Sequence, residues 1–159
     1  MEKTNAMRLL DQSRIAYFIR EYSADTVDGG MVAESLGEDP DRVFKTLVTK
    51  NQTTQYFVFC VPVSADLDLK KAAKAVGAKS IEMIHQKELL PLTGYVHGGC
   101  SPVGMKKRFV TYMDESALLY DEIFVSGGKR GLQIAINPND LAKIAGIKFA
   151  DLTSFSSKN

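Results

Sequence analysis

The chain has 159 residues, 45% of them hydrophobic and 25% charged, and its 20 lysines and arginines against 19 acids leave a formal net charge of +1. That balance excludes a disordered chain, and the length suits one domain, 1–159, with a real core. A near-neutral charge also excludes a global field that gathers nucleic acid, so any RNA contact must come from local patches.

In chain order, Thr4 can cap a helix carrying Met7 and Leu10, and "IAYFIREY" (15–22) then reads as a strand. "TVDGGMVAESLGEDPDR" holds a glycine pair, a short helical piece and a proline turn. "VFKTLVTK" and "YFVFCVPV" flank the polar Asn51–Thr54 and predict a β-hairpin whose second strand, apolar on both faces, lies inside a sheet. "DLKKAAKAVGAKS" is a helix with Asp68 as cap, Leu69, Ala72, Ala73 and Val76 on one stripe, and Gly77 after its end. A strand at "SIEMI" and a helix at "HQKELLPLTG" lead into the loop "YVHGGCSPVGMKKR". "RFVTYMD" and "EIFVSGGKRGLQIAIN" give further strands, the last two joined by a turn at Gly127 and Gly128. "NPNDLAKIAG" closes the chain with Asn137 as cap, Pro138 at the first helical position and Gly146 after the end. Hairpins between strands favour α+β around a mixed or partly closed sheet over a doubly wound parallel one.

No apolar run is long enough to cross a bilayer and the first residues show no signal-peptide core, so no membrane association is expected. Cys60 and Cys100 belong to no CxxC pair, which suits a reducing cytoplasm. Two histidines and two cysteines are too few for a zinc site, and neither a metal nor another cofactor is expected. The glycine turns fail as phosphate loops: Met105 follows Gly104, and Arg130 follows Lys129, where a hydroxyl should follow lysine. His97 and Cys100 offer a nucleophile pair without a nameable third residue, or simply a strand-end histidine and a small residue fitted to a tight loop. Gly98, Gly99 and Gly104 around a Ser-Pro step make either an ordinary turn or a backbone surface of N–H groups for an oxyanion. Lys45 shares a strand face with Val43 and Leu47, so it either snorkels to an edge or points into a pocket.

Three stretches, "DPDRVFKTLV", "GGCSPVGMKKR" and "SGGKRGLQIAINPNDLAKIAG", occur in the order and context of the YbaK/EbsC family of Cys-tRNA(Pro) deacylases, which the chain resembles from about Thr4 to Asp151. The resemblance implies an α+β fold with a mixed, barrel-like β-sheet surrounded by helices. It implies hydrolysis of the ester joining a wrongly attached cysteine to tRNA(Pro), an error that arises because cysteine and proline are alike in size. It places the family's essential lysine on Lys45, with Gly98, Gly99 and Ser101 at the reacting ester. Pro102 and Gly104 complete that loop, Tyr22 is an aromatic at the pocket edge, and Ser126, Gly127 and Gly128 form a second loop. Asp140 falls in the last motif at a helical N-terminal position that also suits a structural role. The segment Asp25 to Glu34 departs most from the family pattern.

The basic patches then serve tRNA: Lys70, Lys71 and Lys74; Lys106, Lys107 and Arg108; Lys129 and Arg130. They would contact phosphates rather than read bases. In the mechanism the family implies, the substrate's own thiol attacks its ester, and the protein supplies positioning and oxyanion stabilisation. Expected partners are mischarged tRNA and prolyl-tRNA synthetase, and the expected state is a monomer or weak oligomer. Two other readings stand beside this one: a deacylase for another small aminoacyl-tRNA, and a non-catalytic module that binds tRNA or a synthetase.

Overall fold

A computed structural model describes residues 2–154 of the chain. Helix α1 (Asn5–Gln12) precedes strand β1 (Tyr17–Glu21) and helix α2 (Gly29–Leu36). Strands β2 (Phe44–Asn51) and β3 (Tyr56–Pro62) form the predicted hairpin, followed by β4 (Asp66–Leu67), α3 (Leu69–Val76), β5 (Ile81–Met83) and α4 (Gln86–Thr93). After the long glycine loop come β6 (Val110–Asp114), a 3₁₀ turn (Glu115–Leu119), β7 (Ile123–Ser126), β8 (Leu132–Ile136), α5 (Pro138–Ala145), β9 (Ile147–Ala150) and β10 (Thr153–Ser154). Caps sit where the sequence puts them. Thr4, Asp68 and Asn137 each accept backbone N–H groups of their own first turn.

The strands make a five-stranded sheet in the order β5-β2-β3-β6-β9, a three-stranded sheet β1-β8-β7, and a small β10-β4 ladder. Both β3–β6 and β6–β9 pair in parallel and the others antiparallel, so the larger sheet is mixed, as expected. The main core lies between the two larger sheets. Val48, Val58, Cys60 and Met113 from one meet Val125, Ile134 and Ile136 from the other, with Ala6 and Leu10 of α1 filling between them. On the opposite face of the large sheet, Phe57, Phe59 and Val61 pack against Ala72 and Ala73 of α3. On the outer face of the small sheet, Ala33 of α2 covers Phe124 and Ala135. β3 therefore buries both faces, as its unbroken apolar run requires.

The sheets do not close into a barrel. They meet through one parallel bridge, Val43 to Phe124. A cation cluster holds that meeting point. Arg42 donates to the Glu122 carbonyl at 2.9 and 3.2 Å and lies 5.5 Å from the centre of the Phe124 ring. Arg20 sits 5.8 Å from the same ring and pairs with Glu38 at 2.8 Å, and Glu38 also faces Arg42 at 3.8 Å. Two guanidiniums against one aromatic, bridged by one carboxylate, combine cation–π attraction with charge-assisted hydrogen bonds. Arg42→Ala is expected to lower unfolding free energy by about 1–3 kcal/mol, measured by urea denaturation, because the Glu122 carbonyl and the Phe124 face lose their partner together.

Candidate active site

Beyond the Val43–Phe124 bridge, β2 and β7 part, and a cleft of about 270 Å³ opens between them. β5 pairs with β2 only over Thr49–Asn51, so the edge of β2 ahead of it stays free. The direction of that edge follows from its neighbours. The Val43 carbonyl accepts from Val63 N–H on the β3 side, whereas the Val48 carbonyl accepts from Ile84 N–H on the other. Alternation then turns the N–H and C=O of Thr46, two residues before Val48, away from β3 and toward the cleft.

Four of the residues implied by resemblance line this cleft together: Tyr22, Lys45, Gly98 and Ser126. Lys45 is half-buried, and among the described residues its ammonium has no ion pair or side-chain hydrogen bond. It lines the same cavity as Asp28 without pairing with it among the described residues. The Tyr22 hydroxyl and Gln133 Oε1 are buried without a hydrogen-bond partner, and both residues line the same space. Buried polar atoms are rarely left unpaired, so an acceptor and a donor without partners lie just behind the surface of the cleft. Val27, Asp28 and Gly29, from the segment that departs from the family pattern, close one side. A volume just under the ~300–1,000 Å³ of drug-sized sites suits a small aminoacyl group rather than a large ligand.

Gln133 was not among the residues predicted. It is the one polar side chain in the buried strand Leu132–Ile136, with Ser126 across from it on β7 and Arg20 on β1. That lone amide inside an apolar run is the signal that could have found it.

The remaining predicted residues have other placements. Gly99 packs backbone to backbone: a Cβ there would lie 2.9 Å from Lys129 Cα and Arg130 N. Ser101 is fully buried, and its Oγ accepts from Val103 N–H at 3.2 Å, shaping the loop from within. Pro102 and Gly104 line a second cleft with Lys107 and Arg108, on the other side of the loop. Gly127 and Gly128 follow Ser126 and contact Leu132 and Thr4.

Among the basic residues, exposed Arg130 is bonded to the loop that lines the cleft, its Nε donating to the His97 carbonyl at 2.7 Å, and among the described residues its remaining guanidinium N–H groups have no partner. Lys129, Lys106, Lys107 and Arg108 are exposed, as are Lys70 and Lys74 on α3. Lys71 is tied down, pairing with Asp151 at 3.0 Å and donating to the Thr153 carbonyl at 2.7 Å. Those bonds fix the β10-β4 end of the chain and leave Lys71 little to offer a phosphate. Asp140 sits in the first turn of α5, its N–H bonded to the Asn137 cap.

His97 is exposed and Cys100 buried, and no bond joins them among the described residues. Burial pushes the Cys100 thiol up to about 12, outweighing a weaker contact with the Thr93 hydroxyl that favours the thiolate. At pH 7 the thiolate is on the order of one molecule in 10⁵. Cys60 is held the same way, also at about 12, by its burial in β3. Neither thiol is an activated nucleophile. No group of three or more His, Cys, Asp or Glu side chains is placed to hold a metal among the described residues.

Residues 24–144 match the aminoacyl-tRNA editing domain. The chain belongs to the aminoacyl-tRNA editing family. The chain is 47% identical over 155 residues to an Enterococcus faecalis protein provisionally named Cys-tRNA(Pro)/Cys-tRNA(Cys) deacylase EbsC, covering 96% of this chain and 94% of the other. Over 83 residues it is 35% identical to a proline–tRNA ligase of Shouchella clausii, matching 52% of this chain and 14% of the ligase. Among solved structures, one described as a candidate trans-editing enzyme for prolyl-tRNA synthetase superposes with a TM-score of 0.83 at 27% identity, over 97% of this chain and 99% of that one.

Two substitutions test the site as built. Cys100→Ala should leave the rate of the editing reaction within about threefold of wild type and its pH profile unmoved, because a thiol held near 12 carries no charge at working pH. A loss of about a hundredfold would restore Cys100 as nucleophile. Gly99→Ala should cost about tenfold or more in rate, since the new methyl must push the loop that carries Gly98 away from the Lys129–Arg130 backbone.

Proposed function

We propose that this chain is a trans-editing deacylase that removes cysteine mischarged onto tRNA(Pro), with the cysteine's own thiol opening the ester. The observation that carries the reading is the cleft itself. It offers an unpaired ammonium, an outward-facing strand edge and two unsatisfied polar atoms, while its one thiol is held protonated. Such a site binds and orients rather than attacks. The whole-length likeness to EbsC supports the same substrate class.

In this mechanism the terminal adenosine lies at the mouth of the cleft with its phosphate toward Lys45 and Arg130, and the cysteinyl group points inward. The substrate sulfur, giving up its proton to solvent, attacks the ester carbonyl carbon. The C–O bond to the ribose then breaks, a cyclic thiolactone leaves, and the ribose oxygen takes a proton. Negative charge gathers on the carbonyl oxygen as the sulfur bonds. The Thr46 N–H and the backbone of the glycine loop at Gly98 are the donors near enough to receive it. Ser126 and the side chains of Tyr22 and Gln133 hold the amino group and ester in the bent conformation that closing a small ring demands. Lys129 and Arg130 anchor the acceptor end through phosphates, the reaction belongs to the cytoplasm, and prolyl-tRNA synthetase is the partner that supplies tRNA(Pro).

The test is single-turnover deacylation of Cys-tRNA(Pro) and Ala-tRNA(Pro) by wild type and Lys45→Ala. Rapid release of cysteine is expected from wild type, with a loss of roughly a hundredfold or more in Lys45→Ala. Ala-tRNA(Pro), which has no thiol, should react about a hundredfold more slowly. Equal rates on the two substrates would sink thiol assistance, and equal rates for the two proteins would sink the role of Lys45.

A further inference from the structure

Helix α1 stands behind both glycine loops, and its first turn is bonded to each of them. Thr4 Oγ accepts from Met7 N–H at 3.2 Å, which caps the helix, and donates to the Gly127 carbonyl at 2.6 Å. One hydroxyl can do both, a proton out and a lone pair in. The next residue, Asn5, donates from Nδ2 to the Gly104 carbonyl at 2.9 Å. Ala6, Met7 and Leu10, all fully buried, root the helix in the main core.

The bond to Gly127 reaches further than its own length. The Gly127 carbonyl and the Gly128 N–H are the two ends of a single peptide unit, rigid and planar. At the far end of that unit, Gly128 N–H donates to Ser126 Oγ at 3.2 Å, and Ser126 lines the cleft. A peptide between two glycines turns over more easily than any other, because no Cβ resists on either side, and Gly128 already stands at φ +107°. Thr4 pins one end, and the pinned N–H occupies a lone pair of Ser126, which leaves the serine proton free to donate into the cleft. Thr4 itself lies outside residues 24–144, the stretch that matches the editing domain.

We propose that Thr4 is a positioning residue for deacylation: by holding the Gly127–Gly128 peptide it aims the Ser126 hydroxyl at the bound ester. The role rests on the deacylase reading, and the test separates the two. Thr4→Asp keeps a capping oxygen for α1 but has no proton to give at neutral pH, whereas Thr4→Ser keeps both bonds. Thr4→Asp is expected to lower kcat on Cys-tRNA(Pro) by about tenfold or more with KM within about twofold, and Thr4→Ser to stay within about twofold in both. If the aspartate disturbs folding, as judged by thermal melting, Thr4→Val keeps the shape without the bond and should show the same fall.

In a Ser126→Ala background, Thr4→Asp should change kcat by less than about twofold, because the group it aims is gone. Exchange of the Gly128 amide, followed without substrate, should quicken by about tenfold in Thr4→Asp and hold in Thr4→Ser. Wild-type kcat in Thr4→Asp, additive losses in the double variant, or unchanged Gly128 protection would each overturn the proposal. No turnover by wild type overturns the deacylase reading instead, and the amide exchange still decides whether Thr4 anchors the peptide.

Discussion

Two sheets that share one bridge and then separate must have something at the fork to set the angle. Here the fork is Val43 against Phe124, and the wedge is the Phe124 ring gripped by Arg20 and Arg42 with Glu38 between them. Had the pairing run on for two more residues, the peptide edge at Thr46 would have found backbone partners on β7, and the cleft would have been filled by ladder hydrogen bonds. Stopping the ladder leaves a strand edge pointed at empty space, a costly arrangement in a core and a useful one at a binding site. The cation cluster therefore lies outside the lining of the cleft and braces the point from which it opens.

Around that opening the proposed site relies on backbone where many enzymes use side chains. The loop from Gly98 can approach the turn at Lys129 and Arg130 only because Gly99 has no Cβ, and Gly98 itself lies where a methyl would strike Val27. Donors on a backbone packed this way do not reorganise when charge develops beside them, which is the property a transition state rewards. The side chains of the lining add polarity at fixed points, among them the Lys45 ammonium, the Gln133 amide and the Tyr22 and Ser126 hydroxyls.

Much of this was legible in the residues. Caps at Thr4, Asp68 and Asn137, the Asn51–Thr54 hairpin and the apolar β3 follow from local chemistry, and local chemistry was enough. Lys45 stood out because a lysine at an inward position on a strand has few places to go. What escaped reading depended on partners distant in sequence. β9 pairs in parallel with β6 and has no turn to announce it, and the short ladder of β4 with β10 is held by Lys71 and Asp151. The same distance explains the basic patches. Lysines at 70, 71 and 74 look alike on a helical wheel, and only the fold brings an aspartate to the second of them. Ser101 and Gly104 look like the rest of their loop, yet the chain dives inward between Gly98 and Gly104, so its two ends face different clefts.

The thiolactone proposed here as the product is an acylating agent, released inside the protein's own walls. Any ionised thiol within reach would be its first victim, and each turnover would carry some chance of being the last. Cys100 lines the cleft, but burial keeps its proton in place. The environment that denies it a part in the reaction also makes it immune to the product. A cysteine can thus sit within a cysteine-handling site for the sake of its size alone, provided that the water needed to ionise it is kept out.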